Sequence, residues 1–261
     1  MTTSRPSGLL LDLDGTVYQD DEPVPGAVTA IAELRDGGLP LRFVTNTTRV
    51  ARGTIAGWLE GFGIPADADD IFTPPFVAMD WLRERELRRV AVLLPEDSQD
   101  AFSGFELAEP GGDAPEAVVI GDLGEGWTFE VLNRAFRWLL DGAAFLALHR
   151  NRYWRTGGEL VLDAGAFVAA LEYATGREAT VVGKPSRPMF AAAARSMGLS
   201  LEEVAMVGDD LEADIGGSQA LGCTAFMVRT GKFRAEELAE SAVEPDRVID
   251  SVAELPAVVL G

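Results

Sequence analysis

The sequence contains one cysteine, one histidine and no long hydrophobic run. A single cysteine cannot form an internal disulfide, and one cysteine with one histidine does not make up the Cys/His ligand set of a zinc site. No apolar stretch approaches the ~20 residues that a transmembrane helix needs. The N-terminal residues Met1–Pro6 lead directly into a strand-like run, with no cleavable signal behind them. These absences exclude a membrane protein and a disulfide-stabilised secreted protein, and they favour a cytoplasmic location.

Basic residues are also scarce, because 22 Lys and Arg stand against 42 Asp and Glu, a formal net charge of −20. A surface of that sign repels a phosphate backbone, and no local basic patch is visible, so we expect no nucleic-acid partner. The charge is compatible with a divalent cation, although most of these acids are expected simply to solvate the surface. With 261 residues, 47% of them apolar, the chain can form one large or two modest domains.

Short apolar runs alternate with helical patterns along the chain. Most of the runs are apolar on both faces, which indicates strands of a parallel sheet covered by helices. Helical spacing at residues 26–36 and 188–198 predicts crossover helices between strands. The predicted class is therefore α/β. The strand candidates are Gly8–Leu13, Leu41–Thr45, Val90–Leu94, Ala117–Gly121, Ala144–Leu148, Thr180–Gly183, Val204–Gly208 and Thr224–Val228.

Polar side chains follow four of these strands, at the sheet edge where ligands bind in open α/β folds. Two acids at an apolar strand end repel each other unless a cation or a shared proton offsets their charge. Taken singly, the Thr and Asn could only cap a helix, and the Lys could be an ordinary surface residue. The four clusters are Asp12 with Asp14, Thr45 with Asn46, Lys184, and Asp209 with Asp210, Glu212 and Asp214.

Together these side chains suit phosphoryl transfer. Carboxylate oxygens bind Mg²⁺ and leave coordination positions for water and a phosphate oxygen. One carboxylate can attack phosphorus to form an aspartyl-phosphate, while a second protonates the leaving oxygen. Hydroxyl, amide and ammonium groups can donate hydrogen bonds to the phosphoryl oxygens.

In their order along the chain, these clusters resemble the four motifs of the haloacid dehalogenase (HAD) superfamily of hydrolases, and the resemblance covers nearly the whole sequence. It implies a Rossmann-like parallel-sheet core that binds Mg²⁺. The matching motifs are Asp12-x-Asp14-Gly-Thr, Thr45-Asn46, Lys184-Pro and Gly208-Asp209-x-x-x-x-Asp214.

The resemblance also implies a role for each acid. Asp12 would be the nucleophile and a Mg²⁺ ligand. Asp14 would be the general acid and then the general base, and its backbone carbonyl would be a further metal ligand. Asp209 would bind Mg²⁺, and Asp214 would anchor the water shell of the metal or Lys184. Lys184 would neutralise the phosphoryl group and the nucleophile.

By the same resemblance, Thr45 and Asn46 would hold the phosphoryl group. Arg52 falls where members of the family often carry a basic residue after Thr-Asn, and Asp210 occupies a variable motif position, so both are candidates for supporting contacts only. For His149 the sequence leaves two interpretations open with equal weight, a structural histidine or a cap residue that faces the active site.

The spacing of the motifs indicates an inserted domain. Asp12 and Thr45 are 33 positions apart, enough for a crossover helix, whereas Thr45 and Lys184 are 139 apart, too many for a loop. The segment between Thr45 and Lys184 resembles the α/β (C2-type) cap of the NagD-like branch, subfamily IIA. This predicts a cap at residues 77–178 and a catalytic core at residues 1–76 and 179–261.

Local segments are most similar to the group that holds phospholysine phosphohistidine inorganic pyrophosphate phosphatase and the HAD-like hydrolase domain-containing proteins. Members of this branch often pair through their caps, which suggests a homodimer. The segments are Phe43–Thr48, His149–Tyr153, Ala169–Gly176, Val182–Pro185 and Gly208–Asp210.

The predicted function is therefore a Mg²⁺-dependent phosphatase acting on a small phosphorylated metabolite that the sequence does not identify. Pyrophosphate or phosphoamidate hydrolysis is an alternative within the same fold. A dehalogenase would need neither metal nor the second acid, and a phosphomutase usually carries its cap in the first gap. A phosphoacceptor receiver domain is a second alternative, but receivers are much shorter and lack the Asp-x-Asp-Gly-Thr motif.

Overall fold

The computed structural model describes residues 5–109, 111–156 and 159–261, and its elements alternate as expected of an α/β protein. The strands are β1 (Gly8–Leu11), β2 (Tyr18–Gln19), β3 (Glu22–Pro23), β4 (Leu41–Val44), β5 (Ile71–Phe72), β6 (Arg89–Leu93), β7 (Glu106–Leu107), β8 (Ala117–Ile120), β9 (Ala144–Ala147), β10 (Tyr153–Thr156), β11 (Glu159–Leu162), β12 (Thr180–Val181), β13 (Val204–Gly208), β14 (Thr224–Val228) and β15 (Arg247–Ile249). The helices are α1 (Ala27–Asp36), α2 (Arg52–Gly61), α3 (Pro74–Glu84), α4 (Glu96–Gln99), α5 (Phe129–Leu140), α6 (Ala164–Thr175), α7 (Arg187–Ser196), α8 (Gly217–Gln219), α9 (Ala235–Glu240) and α10 (Leu255–Val259).

The chain divides into two compact units. The first comprises Met1–Thr45, Arg52–Phe72 and Lys184–Gly261, and the second comprises Asn46–Ala51 and Thr73–Gly183. The sequence placed the inserted domain at residues 77–178, whereas the second unit extends a few residues further at each end and includes the short segment after β4. That this unit acts as a cap stays a prediction.

The first unit is built on a parallel sheet with the strand order β15-β14-β13-β1-β4-β5. Its central strand β1 is wholly buried, in keeping with the Leu9–Leu11 run that predicted it. The chain continues from β1 through β4 to β5 on one side, and β13 to β15 lie on the other. The strand order therefore reverses at β1, and in such sheets the carboxyl end of this position is where ligands bind.

Helices of the first unit cover the sheet with apolar stripes. Helix α1 buries Ala27, Ala30, Ile31 and Leu34, which recur at the spacing of one helix face. The helices predicted for residues 26–36 and 188–198 are confirmed as α1 and α7. In the described part of the chain, the structure has no helix with both the length and the apolar character of a membrane span.

The second unit has its own parallel sheet, ordered β12-β9-β8-β6-β7. Residues of β8 and β9, such as Val118 and Phe145, form a core with α5 and α6, to which Leu139 and Leu171 contribute. A separate antiparallel hairpin joins β10 to β11, and the sequence analysis did not anticipate it. The structure thus confirms the parallel-sheet α/β class.

Candidate active site

Three acids converge at the carboxyl edge of the first-unit sheet. Asp12 directly follows β1, Asp209 directly follows the neighbouring strand β13, and Asp214 lies in the π-helix Leu211–Gly216 just beyond. One carboxylate oxygen of each lies within 4.8 Å of the others. All three residues are buried, with exposed fractions of 7%, 1% and 0%. Three carboxylates so close together and so far from water need a cation or bound protons to offset their repulsion.

Lys184 supplies one positive charge to this cluster. Its Nζ lies 2.5 Å from Asp12 Oδ1 and 2.6 Å from Asp214 Oδ1. Burial alone would lower the pKa of Lys184, but the two carboxylates raise it above its ordinary value. Lys184 is therefore charged at neutral pH, and one ammonium group faces three carboxylates.

The carboxylates are electrostatically strained without a further cation. Burial raises the pKa of Asp12 and of Asp209, and a neighbouring carboxylate raises each further. Burial, with the negative charge of Asp12, raises the pKa of Asp214 to about 7, although Lys184 opposes this shift. The site therefore has a strong tendency to take up positive charge.

The Asp209 carboxylate is held in one orientation. The backbone N–H of Lys232 donates a 2.7 Å hydrogen bond to Oδ2, while Oδ1 is buried and has no hydrogen-bond partner among the described residues. A fixed carboxylate with one unpartnered oxygen, beside the Asp12 carboxylate, is a suitable ligand for a hard cation. The residues present thus fit Mg²⁺, which prefers oxygen ligands.

Two glycines make room for Asp209. Gly15 has φ +83°, and Gly231 has φ +63°. A Cβ at Gly15 would stand 2.2 Å from Asp209 Oδ2, and one at Gly231 would stand 2.0 Å from it. Both positions therefore require glycine for a left-handed backbone and for the close approach of the carboxylate.

Gly15 was expected at the site as part of a motif, whereas Gly231 and Lys232 were not predicted from the sequence. A signal for them was available, since Thr230-Gly231-Lys232 follows the apolar strand β14 much as Gly183-Lys184 follows an apolar strand. What the sequence alone did not indicate is that this turn contacts Asp209.

Asp14 and Thr45 were both expected at the site, and Asp14 is not one of the three clustered acids. Asp14 is exposed and is therefore accessible to a substrate. The pKa of Tyr18 is raised to about 12, mainly by burial and secondly by the negative charge of the Asp14 carboxylate. Thr45 is buried directly after β4, and its backbone N–H donates to the carbonyl of Phe72 at 3.0 Å.

Asn46, the second residue of its motif, belongs to the second unit. Its Oδ1 packs so close to Gly183 that a Cβ there would stand 2.8 Å away. The division between the units therefore falls between the two residues that the sequence analysis assigned to phosphate binding.

Asp210 and Arg52 have structural contacts. Asp210 Oδ1 accepts a 2.9 Å hydrogen bond from the backbone of Ala213, which caps the π-helix, and Oδ2 lies 3.0 Å from Lys232 Nζ. Burial would raise the pKa of Asp210, but these hydrogen bonds and the positive charge of Lys232 outweigh it and lower the pKa. Arg52 Nη1 donates to the carbonyl of Ala68 at 2.6 Å.

His149 lies in the second unit, two residues after the end of β9, and is only 4% exposed. Its Nε2 is 3.7 Å from Asp163 Oδ1, and its Nδ1 has no hydrogen-bond partner within the described ranges. Burial lowers the pKa of His149, and the charges of Asp163 and Asp122 oppose this shift. The neutral imidazole is therefore the favoured form.

We expect His149 to destabilise the protein in mild acid. Its pKa in the unfolded chain is near the ordinary value of 6.5, and the folded value is lower, so the unfolded chain binds the proton first. The free energy of unfolding therefore falls as the pH drops below about 6.5. Urea denaturation at about pH 7 and pH 5.5 should show a smaller loss for His149→Gln than for the native sequence. Equal losses of unfolding free energy in the two proteins would show that His149 does not cause this pH dependence.

Known proteins resemble this chain over almost its full length. The family model described as "Haloacid dehalogenase-like hydrolase" matches residues 9–108, and the one described as "HAD-hydrolase-like" matches residues 181–255. Haloacid dehalogenase-like hydrolase domain-containing protein 2 from Homo sapiens is 39% identical, over 91% of this chain and 88% of its own. Phospholysine phosphohistidine inorganic pyrophosphate phosphatase from Rattus norvegicus is 35% identical, over 95% and 92%.

A solved structure extends this likeness to the fold. The structure of NagD from Escherichia coli K-12 superposes with a TM-score of 0.83 at 26% identity, covering 96% of this chain and 98% of NagD. The chain therefore belongs to the haloacid dehalogenase-like hydrolase family, and within it to the phosphohydrolases of the NagD-like subfamily IIA.

Proposed function

We propose that this chain is a Mg²⁺-dependent phosphatase that hydrolyses a small phosphorylated metabolite through an aspartyl-phosphate on Asp12. The observation that carries this proposal is the buried cluster of Asp12, Asp209 and Asp214 around Lys184 at the switch point of the first-unit sheet. Family membership favours hydrolysis over the receiver-like signalling alternative.

Asp12 is the nucleophile in this proposal. Lys184 contacts its Oδ1 at 2.5 Å, which favours the charged carboxylate and fixes its direction. A carboxylate oxygen of Asp12 attacks phosphorus, the bond to the leaving oxygen breaks, and water then hydrolyses the aspartyl-phosphate. Asp14 gives a proton to the leaving oxygen and later takes one from the attacking water.

The remaining acids would hold the metal. Asp12 and Asp209 would bind Mg²⁺ directly, together with the backbone carbonyl of Asp14, and Asp214 would anchor the water shell of the metal or Lys184. When bound, the ion neutralises negative charge on the phosphoryl oxygens. Asp214 contacts Lys184 at 2.6 Å and is fully buried, whereas Asp12 is 7% exposed, which supports Asp214 as an anchor and Asp12 as the nucleophile.

Thr45 and Asn46 would donate hydrogen bonds to the phosphoryl oxygens. The second unit would act as a C2-type cap that selects the leaving group and excludes water during the reaction. A homodimer that pairs through this unit is part of the same proposal, and light scattering that shows only a 27.9 kDa species would remove it.

Asp14→Asn tests the assignment of the general acid. General acid catalysis contributes about 10²–10⁴-fold when the leaving oxygen needs a proton. The variant should therefore slow the hydrolysis of alkyl phosphates by up to that factor and slow p-nitrophenyl phosphate much less, because nitrophenolate leaves without a proton. Steady-state rates on both substrates check this. An equal loss on both would show that Asp14 is not the acid.

A panel of phosphorylated compounds, assayed with Mg²⁺, tests the function and the substrate class together. It should include p-nitrophenyl phosphate, sugar phosphates, nucleotides, pyridoxal phosphate, pyrophosphate and a phosphoamidate. The name of the 35% identical rat relative makes pyrophosphate and P–N bonds the second candidate class. Turnover of a monoester that disappears in Asp12→Asn supports the proposal, and a folded chain that hydrolyses none of the panel contradicts it.

A further inference from the structure

The loop that follows β4 belongs to the second unit and makes an ion pair within it. Nη2 of Arg49 donates to Oδ2 of Asp122, and both residues belong to that unit. The Asp122 side chain is 11% exposed, and its Oδ1 accepts a 3.0 Å hydrogen bond from the backbone N–H of Gly124. Asp122 is therefore a fixed carboxylate, placed directly after Gly121 at the end of β8.

The start of the same loop, at Asn46, lies close to Gly183. Gly183 donates its N–H to the carbonyl of Leu148 at 3.0 Å. A Cβ at Gly183 would stand 2.4 Å from that carbonyl oxygen and 2.8 Å from Asn46 Oδ1. Asn46 and Arg49, three residues apart, thus both lie against residues at the carboxyl edge of the second-unit sheet, Asn46 beside Gly183 and Arg49 paired with Asp122.

From this arrangement we infer that Arg49 and Asp122 form a positioning pair, which sets the place of the Asn46 amide and so the affinity for the phosphoryl group. The inference rests on the proposed function, in which Asn46 contacts that group. Arg49 itself need not touch substrate. Its side chain is 47% exposed, so the pair adds little to stability, whereas a displacement of about 1 Å in a contacting group can reduce activity by about 10²-fold.

The chain offers a matched control for Arg49. Arg150 Nη2 lies 2.7 Å from Glu172 Oε2, with side chains 49% and 14% exposed, against 47% and 11% for Arg49 and Asp122. Both pairs lie in the second unit. Arg49→Gln and Arg150→Gln therefore break similar ion pairs, and a purely structural effect would appear in both.

The test measures KM and kcat for p-nitrophenyl phosphate and the dissociation constant of inorganic phosphate by calorimetry, with Mg²⁺ present. Arg49→Gln should raise KM and the phosphate dissociation constant about tenfold, within the range for a displaced contact, with a smaller change in kcat because the contact exists before and during the reaction. Arg150→Gln should change neither. Thermal unfolding should shift by similar small amounts in both variants.

A double substitution separates positioning from a direct role. If Arg49 acts through Asn46, Arg49→Gln should have no further effect in an Asn46→Ala background. Additive effects, or equal behaviour of Arg49→Gln and Arg150→Gln, would overturn the inference. The proposed function is tested by a different measurement. It fails if the native chain shows no turnover that depends on Asp12, whereas the positioning role of Arg49 is tested by phosphate binding, which needs no turnover.

Discussion

Asp12→Asn is expected to abolish turnover, by about 10⁴-fold or more, while the protein stays folded. The substitution is nearly isosteric, but an amide oxygen cannot form the acyl-phosphate bond. Lys184 keeps its 2.6 Å contact with Asp214, so no buried charge is left without a partner. Removing one of three crowded carboxylates also relieves their repulsion. The free energy of unfolding without metal should therefore be unchanged or raised.

Rates on the best substrate of the panel, together with thermal unfolding, check this prediction. Glu212→Gln is a suitable control, because Glu212 is an exposed acid in the same acidic stretch and lies outside the carboxylate cluster. It should leave the rate close to that of the native chain. A folded Asp12→Asn variant with a near-normal rate would mean that the nucleophile is another residue.

The core of the site was predictable because strand ends in a parallel sheet share one edge. An apolar run followed by polar residues marks such an end, and this sufficed to place Asp12 and Asp209 together. Lys184 follows β12, which belongs to the second-unit sheet, so its place beside Asp12 does not follow from a shared sheet edge. The structure adds Gly231 and Lys232, which the sequence showed only as one more turn after a strand. Their contact with Asp209 depends on how two loops approach each other in space, and no periodicity in the chain encodes that approach.

The second unit was less predictable for a related reason. Its parallel strands, such as β8, are buried apolar runs that the sequence pattern indicates. Strand β11 of the hairpin is instead exposed along its length, including Leu160 and Leu162, so its apolar residues do not mark a buried face. Asn46 was assigned from its motif, yet its packing against Gly183 links positions 137 residues apart. Contacts of that range follow from the tertiary fold rather than from local pattern.

Removal of divalent metal is expected to reduce the rate to that of Asp12→Asn, because buried carboxylates with raised pKa values need a cation before they can accept a phosphate group. Dialysis against EDTA followed by assay checks this, and Mg²⁺ should restore the rate. The ligands are hard oxygens, so we expect Mg²⁺ to restore it without added zinc. Full activity after thorough chelation would remove the metal from the mechanism.

Gly231→Ala tests the metal site through its geometry. The new Cβ would stand 2.0 Å from Asp209 Oδ2, so the carboxylate must turn and its unpartnered Oδ1 must move. Changes in groups that orient a metal ligand typically reduce affinity about 10–100-fold, and the half-saturating Mg²⁺ concentration should rise by that factor. Gly38→Ala is the control, since Gly38 has a similar φ of +73° but no atom within 4 Å of the added Cβ. Both variants place alanine at a left-handed glycine position, so a difference between their Mg²⁺ titrations reports the close contacts of the Gly231 Cβ, with Asp209 Oδ2 at 2.0 Å and with Gly15 Cα at 2.7 Å. Coincident titration curves would show that Asp209 does not bind the metal through the orientation seen here.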